Sequence, residues 1–209
     1  MPGDLFPETL GATGLHHLAG FAAAEEAVLI AGVEEVSAQA AFRQMSTPGG
    51  KLMSVAMTNC GNVGWVSDRR GYRYSAADPE TQLPWPAMPE VFSALAGRAA
   101  AVAGFIGFVP DACLINRYVP GAKMSLHQDA DERDFGAPIV SVSLGLPAVF
   151  LWGGAARADK ASRIALESGD VVVWGGDVRR YFHGIAPLRE GAHPVLGRVR
   201  FNLTFRKAL

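Results

Sequence analysis

The sequence predicts a mainly β protein with flanking helices, in which short antiparallel strands form a double-stranded jelly roll. After residue 111 the chain contains six short runs of β-forming residues, separated by turn residues and without helical patterns between them. Before that point, two longer stretches have the apolar spacing of helices. This order favours an antiparallel sandwich or barrel with the two helices packed outside it.

The two helices are indicated by different signals. Within residues 23–41, apolar residues from Leu29 to Ala40 follow one another at spacings of four, three and four, which is one face of a helix. The second predicted helix starts at Pro89, a residue favoured in the first turn, and ends near Gly104, a residue favoured just after a helix.

Length and composition predict one globular domain. The chain has 209 residues, of which 49 % are hydrophobic, so it can bury a substantial core. It has no apolar stretch of the ~20 residues that span a membrane, and its N-terminus lacks the pattern of a secretory signal. Cys60 and Cys113 form no CxxC motif, which favours two reduced thiols, although a disulfide stays open. We therefore expect a cytoplasmic protein.

Charge is distributed unevenly along the chain. The net charge of −1 argues against a broadly basic nucleic-acid-binding surface. Residues 1–42 contain six acids and no Lys or Arg, so the rest of the chain has 19 basic and 14 acidic side chains. A local basic surface in that later part is therefore compatible with the composition.

The last predicted strand, "RFNLTFR" at residues 200–206, has the clearest period of two. Its aromatic residues share one face with Leu203, so its polar residues share the other: Arg200, Asn202, Thr204 and Arg206. Two interpretations are open for this face: it is exposed to water on a half-buried sheet, or it lines the mouth of a barrel and binds an anion. Asn116 and Tyr118 in "LINRY" also share one face.

The stretch "SLHQDADERDF", residues 125–135, contains His127 and Asp129 two residues apart. On an extended backbone such side chains point to the same side. With a second histidine they would form the 2-His-1-carboxylate set of non-haem Fe(II) oxygenases. His183 in "YFHGI" is the best candidate, because the other histidines precede the predicted barrel or lie in a predicted loop.

A catalytic zinc hydrolase can use the same ligand types. It has no need of two arginines behind the metal, whereas an oxygenase that uses 2-oxoglutarate must hold the far carboxylate of that acid. A guanidinium does so through its planar fork. Arg200 and Arg206 therefore favour the oxygenase.

Longer segments closely resemble the AlkB family of nucleic-acid dealkylating dioxygenases, in its bacterial DNA-repair branch. They are "FRQM", "TPGG", "MSVAMTNCG", "PWPAMP", "DACLINRYVPGAKMSLHQDADE", "PIVSVSLGLPAVF", "GDVVVWGG", "YFHGI" and "RFNLTFR". The resemblance implies a double-stranded β-helix, a cupin-like jelly roll, with an N-terminal substrate lid over the active site. Within a single domain of residues 1–209, it implies a helical extension at about 1–41, the lid at about 42–90 and the catalytic core at about 111–209.

The resemblance also implies roles for individual residues. The implied catalytic residues, which bind Fe(II), are His127, Asp129 and His183. The implied contacts of the co-substrate 2-oxoglutarate are Asn116, Tyr118, Arg200, Asn202 and Arg206. The implied substrate contacts are Trp65, Tyr72, Tyr74, Asp131 and Arg157. In this assignment Trp65 stacks on a flipped base and Asp131 meets the edge of that base.

The implied activity is oxidative demethylation of bases such as N1-methyladenine and N3-methylcytosine in single- or double-stranded DNA, with RNA as a further candidate. O2 and 2-oxoglutarate would be converted to succinate and CO2, with release of formaldehyde. Such a base has lost its pairing edge, so it is easier to flip from the duplex. Its positive charge can interact with a carboxylate and with the face of an aromatic ring.

We expect a monomer that does not bind membranes. Two alternatives stay open from the sequence. One is a related oxygenase that acts mainly on RNA or protein, and the other is a non-catalytic metal-binding β-barrel that recognises damaged nucleic acid.

Overall fold

The computed structural model describes residues 8–9 and 14–209. The elements before residue 111 are β1 Glu8–Thr9, β2 Leu15–Leu18, α1 Glu26–Gln39, β3 Arg43–Ser46, β4 Leu52–Gly61, β5 Gly64–Asp68, β6 Gly71–Ser75 and α2 Glu90–Val102. The later elements are β7 Ala112–Tyr118, β8 Met124–His127, β9 Ile139–Gly145, β10 Ala148–Trp152, β11 Ser162–Leu166, β12 Val171–Trp174, β13 His183–Ile185 and β14 Arg200–Arg206. Of the predicted helical extension, residues 1–7 and 10–13 lie outside the described residues.

Both predicted helices are confirmed, with slightly shorter bounds. A 3₁₀ turn at Ala23–Glu25 precedes α1, which buries Leu29 and Val33. Pro89 caps the start of α2, and Gly104 follows its end with a φ of 91°, in the left-handed region that favours glycine. Neither helix of the described chain is long and apolar enough to cross a membrane.

The two larger sheets pack face to face, as the jelly-roll prediction requires. One has eight strands in the order β1-β2-β12-β9-β14-β7-β4-β3, and the other has four in the order β11-β10-β13-β8. Trp174 of the first sheet and Phe150 of the second belong to the same buried cluster, with ring centroids 5.9 Å apart. The helices cover the opposite face of the large sheet, where Phe92 of α2 packs edge-on against Phe205 of β14.

β14 lies inside the large sheet, paired with β7 on one side and β9 on the other. Phe201, Leu203 and Phe205 pack in the cluster under the helices, so the polar face points between the two sheets. Arg200 is 0 % exposed and Arg206 is 6 % exposed. The interpretation in which these arginines face water is therefore wrong.

The predicted lid, residues 42–90, contains two kinds of structure. β3 and β4 extend the large sheet beyond β7, whereas β5 and β6 form a separate hairpin. The side chain of Asn59 holds the start of this hairpin, because its amide accepts from Trp65 N at 2.9 Å and donates to Trp65 O at 3.0 Å. The hairpin is therefore a separate layer, in which β5 packs against β3, β4 and β7 of the large sheet.

The two cysteines are buried free thiols directly opposite each other on β4 and β7. Burial, followed by the neighbouring Cys60, raises the pKa of the Cys113 thiol well above its usual value. The prediction of two reduced thiols agrees with this arrangement.

Candidate active site

His127, Asp129 and His183 converge where β8 and β13 meet. The two histidines are direct partners in the register of these strands, and their ring centroids lie 4.5 Å apart. Asp129 follows the end of β8, with Oδ1 at 3.6 Å from His127 Nε2 and Oδ2 at 3.8 Å from His183 Nε2. One ligand atom from each of the three residues lies within 4.8 Å of the others, which suits a single metal ion.

Hydrogen bonds to the backbone orient both imidazoles. His127 Nδ1 donates to the Ser125 carbonyl at 2.9 Å, and His183 Nδ1 donates to the Tyr181 carbonyl at 3.0 Å. In each ring the Nε2 atom is left free to bind a metal. Burial, reinforced by His127, lowers the pKa of His183 to about 4, so its imidazole stays in the neutral form that metals bind.

Asp129 is buried beside an arginine. Its Oδ2 accepts from Arg206 Nη2 at 2.7 Å and from Arg206 Nε at 3.0 Å. Burial alone would raise the pKa of this carboxyl, but Arg206 and the two histidines outweigh it and hold the pKa below its usual range. The carboxylate is therefore ionised, and its Oδ1 remains available to a metal.

A cavity of about 640 Å³ opens over these ligands, between the two sheets and the β5–β6 hairpin. Most of the predicted site residues line it: Trp65, Tyr72, Asn116, Tyr118, His127, Asp129, Asp131, Arg157, His183, Asn202 and Arg206. Of the thirteen predicted residues, Arg200 and Tyr74 do not line it. The structure therefore brings the predicted metal ligands and most predicted co-substrate and substrate contacts around one space.

Arg200 lies behind the wall of this cavity, next to its cross-strand neighbour Tyr118. Its Nη2 donates to Ser143 Oγ at 2.9 Å, whereas Nε and Nη1 have no hydrogen-bond partner. Burial lowers its pKa to about 10, and it forms no salt bridge with any described residue. Two of its donor groups are therefore free to bind an anion, and an unpaired buried charge is costly without one.

The hairpin places two aromatic rings at the cavity mouth. Trp65 of β5 stacks on Tyr72 of β6, with centroids 5.6 Å apart and planes 14° from parallel. Trp65 Nε1 donates to Asp131 Oδ2 at 2.8 Å. Arg157 faces the same cavity, with its guanidinium 4.8 Å above the ring of Phe182.

Tyr74 does not line the cavity, and its role as a substrate contact stays a prediction. Its hydroxyl donates to Glu132 Oε1 at 2.7 Å, and burial raises the pKa of this phenol above its usual value. The contact ties the hairpin to the segment that carries Asp129.

Glu132, Arg179 and Trp174 are site residues that the sequence did not single out. Glu132 and Arg179 are buried and form a salt bridge at 3.3 Å. In the sequence alone, each resembles an ordinary charged surface residue. Trp174 lines the cavity, and its ring centroid lies 4.9 Å from that of His183. The available signals were weak: Glu132 belongs to the acidic run after His127, and Arg179 precedes His183 by four residues.

Comparison with known proteins gives matches over most of the chain. A family model described as the 2OG-Fe(II) oxygenase superfamily matches residues 14–206. The alpha-ketoglutarate-dependent dioxygenase AlkB of Escherichia coli (strain K12) is 59 % identical over 202 residues, which covers 97 % of this chain and 92 % of that protein. The DNA N(6)-methyladenine demethylase ALKBH1C of Arabidopsis thaliana is 41 % identical over 110 residues, which covers 47 % of this chain and 24 % of that protein.

Among solved structures, that of OsALKBH1 superimposes with a TM-score of 0.82 at 31 % sequence identity, and the match covers 93 % of this chain and 96 % of that one. The fold, the 2-His-1-carboxylate geometry and the matches along nearly the whole chain therefore agree. The chain belongs to the 2OG-Fe(II) oxygenase superfamily and, within it, to the AlkB dioxygenases, which use Fe(II), 2-oxoglutarate and O2.

Proposed function

We propose that this dioxygenase demethylates alkylated bases in DNA, such as N1-methyladenine and N3-methylcytosine, and that each residue of the site has the role assigned to it from the sequence. Bound Fe(II) supplies the activation of O2, which converts 2-oxoglutarate to succinate and CO2 and inserts one oxygen atom into a methyl C–H bond of the base. The N-hydroxymethyl group that results leaves as formaldehyde and restores the base.

The donor set of the cavity fits Fe(II). Two imidazoles and one ionised carboxylate are a facial ligand set that leaves further coordination positions for the co-substrate and O2. His127 and His183 present Nε2 because their Nδ1 atoms are held by backbone carbonyls. Asp129 presents Oδ1 because Arg206 occupies its Oδ2.

The unpaired Arg200 is the single observation that carries the assignment of the co-substrate. Its buried Nε and Nη1 atoms need an acceptor, and a dicarboxylate bound at the metal has a second carboxylate to offer. These free donors support a 2-oxoglutarate molecule that extends from the triad toward Arg200.

The cavity mouth supports a flipped, positively charged base. Trp65 and Tyr72 form an aromatic plate over the cavity, and aromatic faces attract cations. Asp131 lies beside this plate and is exposed, so a cationic base can form a charge-assisted contact with it. An enzyme that reacts with a base must take that base out of the duplex, and the loss of the pairing edge lowers the cost.

Positive side chains around the mouth support a nucleic-acid substrate rather than a peptide. Lys51, Lys123 and Arg157 line the cavity and are exposed, and none of them forms a salt bridge within the described part of the chain. Phosphate groups on either side of a flipped base would meet these cations. A local cluster of this kind is sufficient to bind the phosphates next to one flipped base, although the net charge of the protein is −1.

Formaldehyde release tests the proposal. The purified protein is incubated with a DNA oligonucleotide containing N1-methyladenine, with and without Fe(II) and 2-oxoglutarate, beside a methylated RNA of the same sequence and a methylated peptide. We expect release from DNA that requires both Fe(II) and 2-oxoglutarate. Release from RNA or peptide but not from DNA would contradict the proposed substrate, and tight binding of methylated DNA without any release would indicate a recognition protein.

A further inference from the structure

Four buried charged residues lie together at the inner end of the site, namely the assigned metal ligand Asp129 and, next to it, Glu132, Arg179 and Arg206. All four side chains are at most 8 % exposed, and they comprise two acids and two bases. Arg206 and Asp129 already have roles in the proposed mechanism. Glu132 and Arg179 do not contact the cavity, so their burial requires another explanation.

Arg179 holds the irregular segment that carries Asp129. Its Nη1 donates to the Asp129 carbonyl at 3.1 Å and its Nε donates to the Ala137 carbonyl at 3.0 Å. Its Nη2 forms a salt bridge with Glu132 Oε2 at 3.3 Å. One guanidinium therefore contacts the beginning, the middle and the end of residues 129–137, which lie between β8 and β9.

Asp129 depends on such contacts because it lies beyond the end of β8. His127 and His183 are fixed by the pairing of their strands, whereas no ladder hydrogen bond holds the backbone of Asp129. Arg206 fixes its carboxylate and Arg179 fixes its carbonyl. Glu132 joins the two arginines, because its Oε1 also lies 3.3 Å from Arg206 Nε.

We propose that Arg179 is a positioning residue for the metal ligand Asp129, and that Glu132 links this support to the hairpin through Tyr74. The proposal rests on the assignment of Asp129 as an Fe(II) ligand. A buried ion pair is weak evidence for stability, since apolar replacements are often neutral or stabilising. A role in holding a ligand explains why two further charges are buried at this place.

Co(II) binding to the metal-free protein tests the proposal without turnover. Visible absorption of bound Co(II) is titrated in the wild type, in Arg179→Met and in Arg180→Met. Arg180 is the matched control, because it is the next residue, has the same side chain and lies near the same Phe135 ring, but is exposed. We expect Arg179→Met to weaken Co(II) binding about 10- to 100-fold, and Arg180→Met to leave it unchanged.

Two further variants keep the outcomes distinct. Arg179→Lys retains the charge but reaches fewer of the three acceptors, so it should bind Co(II) with intermediate affinity and also serves if Arg179→Met does not fold. Wild-type Co(II) affinity in a folded Arg179→Met or Arg179→Lys protein would overturn the positioning role and leave the proposed function intact. Wild-type affinity in His183→Ala would instead overturn the metal assignment on which both proposals depend.

Discussion

The two ends of the cavity are built in opposite ways. At the inner end, Asp129, His183 and Arg206 are all buried. The carboxylate of Asp129 contacts three side chains there, those of Arg206 and both histidines. At the mouth, Asp131 is exposed and its carboxylate accepts one hydrogen bond, from Trp65 Nε1. The inner end therefore has a fixed geometry, whereas the mouth has a contact that a ligand can replace.

The difference follows from the energetics of charge. A charge that is removed from water needs several well-placed partners, and losing one of them is costly. An exposed hydrogen bond or ion pair contributes little, because water offers similar partners. A base can therefore replace Trp65 as the hydrogen-bond partner of Asp131 at little cost in free energy. A change beside Asp129 instead disturbs all of the buried charges that contact it.

The largest expected effect comes from a metal ligand at the inner end. His183→Ala should reduce iron-dependent formaldehyde release to background, because two ligands do not complete the facial set. The side chain borders an existing cavity, so the melting temperature of the metal-free protein should change by only a few degrees. Release at the wild-type rate from this variant would show that the metal lies elsewhere.

At the mouth, Asp131→Asn should change the choice of lesion rather than the oxidation itself. The substitution keeps the shape of the side chain and removes its charge, and a charge-assisted contact contributes ~1.5–3 kcal/mol. Catalytic efficiency on cationic N1-methyladenine should fall about 10- to 100-fold, with a smaller loss on neutral N1-methylguanine.

The ratio of efficiencies on these two lesions is the measurement that decides the role of Asp131. Conversion of 2-oxoglutarate without a base serves as the control and should change far less. An unchanged ratio would make Asp131 a bystander beside the metal ligands.

Substitutions of the two arginines of β14 should distinguish co-substrate binding from metal binding. Arg200→Lys keeps a charge but loses the planar fork, so the apparent affinity for 2-oxoglutarate should fall about tenfold, or roughly 1.4 kcal/mol. Co(II) affinity should stay the same, because Arg200 does not contact a metal ligand. Arg206→Lys should lower both affinities, because Arg206 holds Asp129. Equal 2-oxoglutarate titrations for Arg200→Lys and the wild type would refute the anion site.

The smallest expected effect concerns the cations of the mouth. Lys51→Ala should weaken binding of DNA a few-fold and uniformly across sequences, and should reduce the slope of log affinity against log salt by about 1. Binding is measured with a fluorescent oligonucleotide at several salt concentrations, and Lys160→Ala, outside the cavity lining, is the control. Identical salt slopes for Lys51→Ala and the wild type would place the phosphate backbone elsewhere.

Prediction from the sequence succeeded where the function depends on local periodicity. The polar face of β14 and the pair His127 and Asp129 follow from alternation along an extended chain. Assignment of His183 needed only a histidine next to a predicted strand. The structure brings these side chains together around one cavity. The roles of the hairpin residues were implied by the resemblance to a known family and stay predictions.

Prediction was weaker where contacts join distant segments. Tyr74 meets Glu132 across 58 positions and Arg179 meets Asp129 across 50, so no local spacing indicates either contact. Tyr74 therefore does not line the cavity, although its pairing with Trp65 places both side chains on the same face of the hairpin. The sequence indicated only that charged residues are present in these segments, and not that Arg179 contacts Asp129 and Glu132.

The sequence by itself determined the elements and the chemistry they carry, because helix and strand periods are set by neighbouring residues and the metal ligands lie on or beside strands. Only the tertiary structure decided which charges are buried together. Arg198 and Arg200 are only two positions apart in the sequence. Arg200 is nevertheless enclosed between the two sheets, whereas Arg198 pairs with Glu190 at the surface. The packing of two sheets determines that difference, since it alone excludes water from one arginine and leaves it around the other.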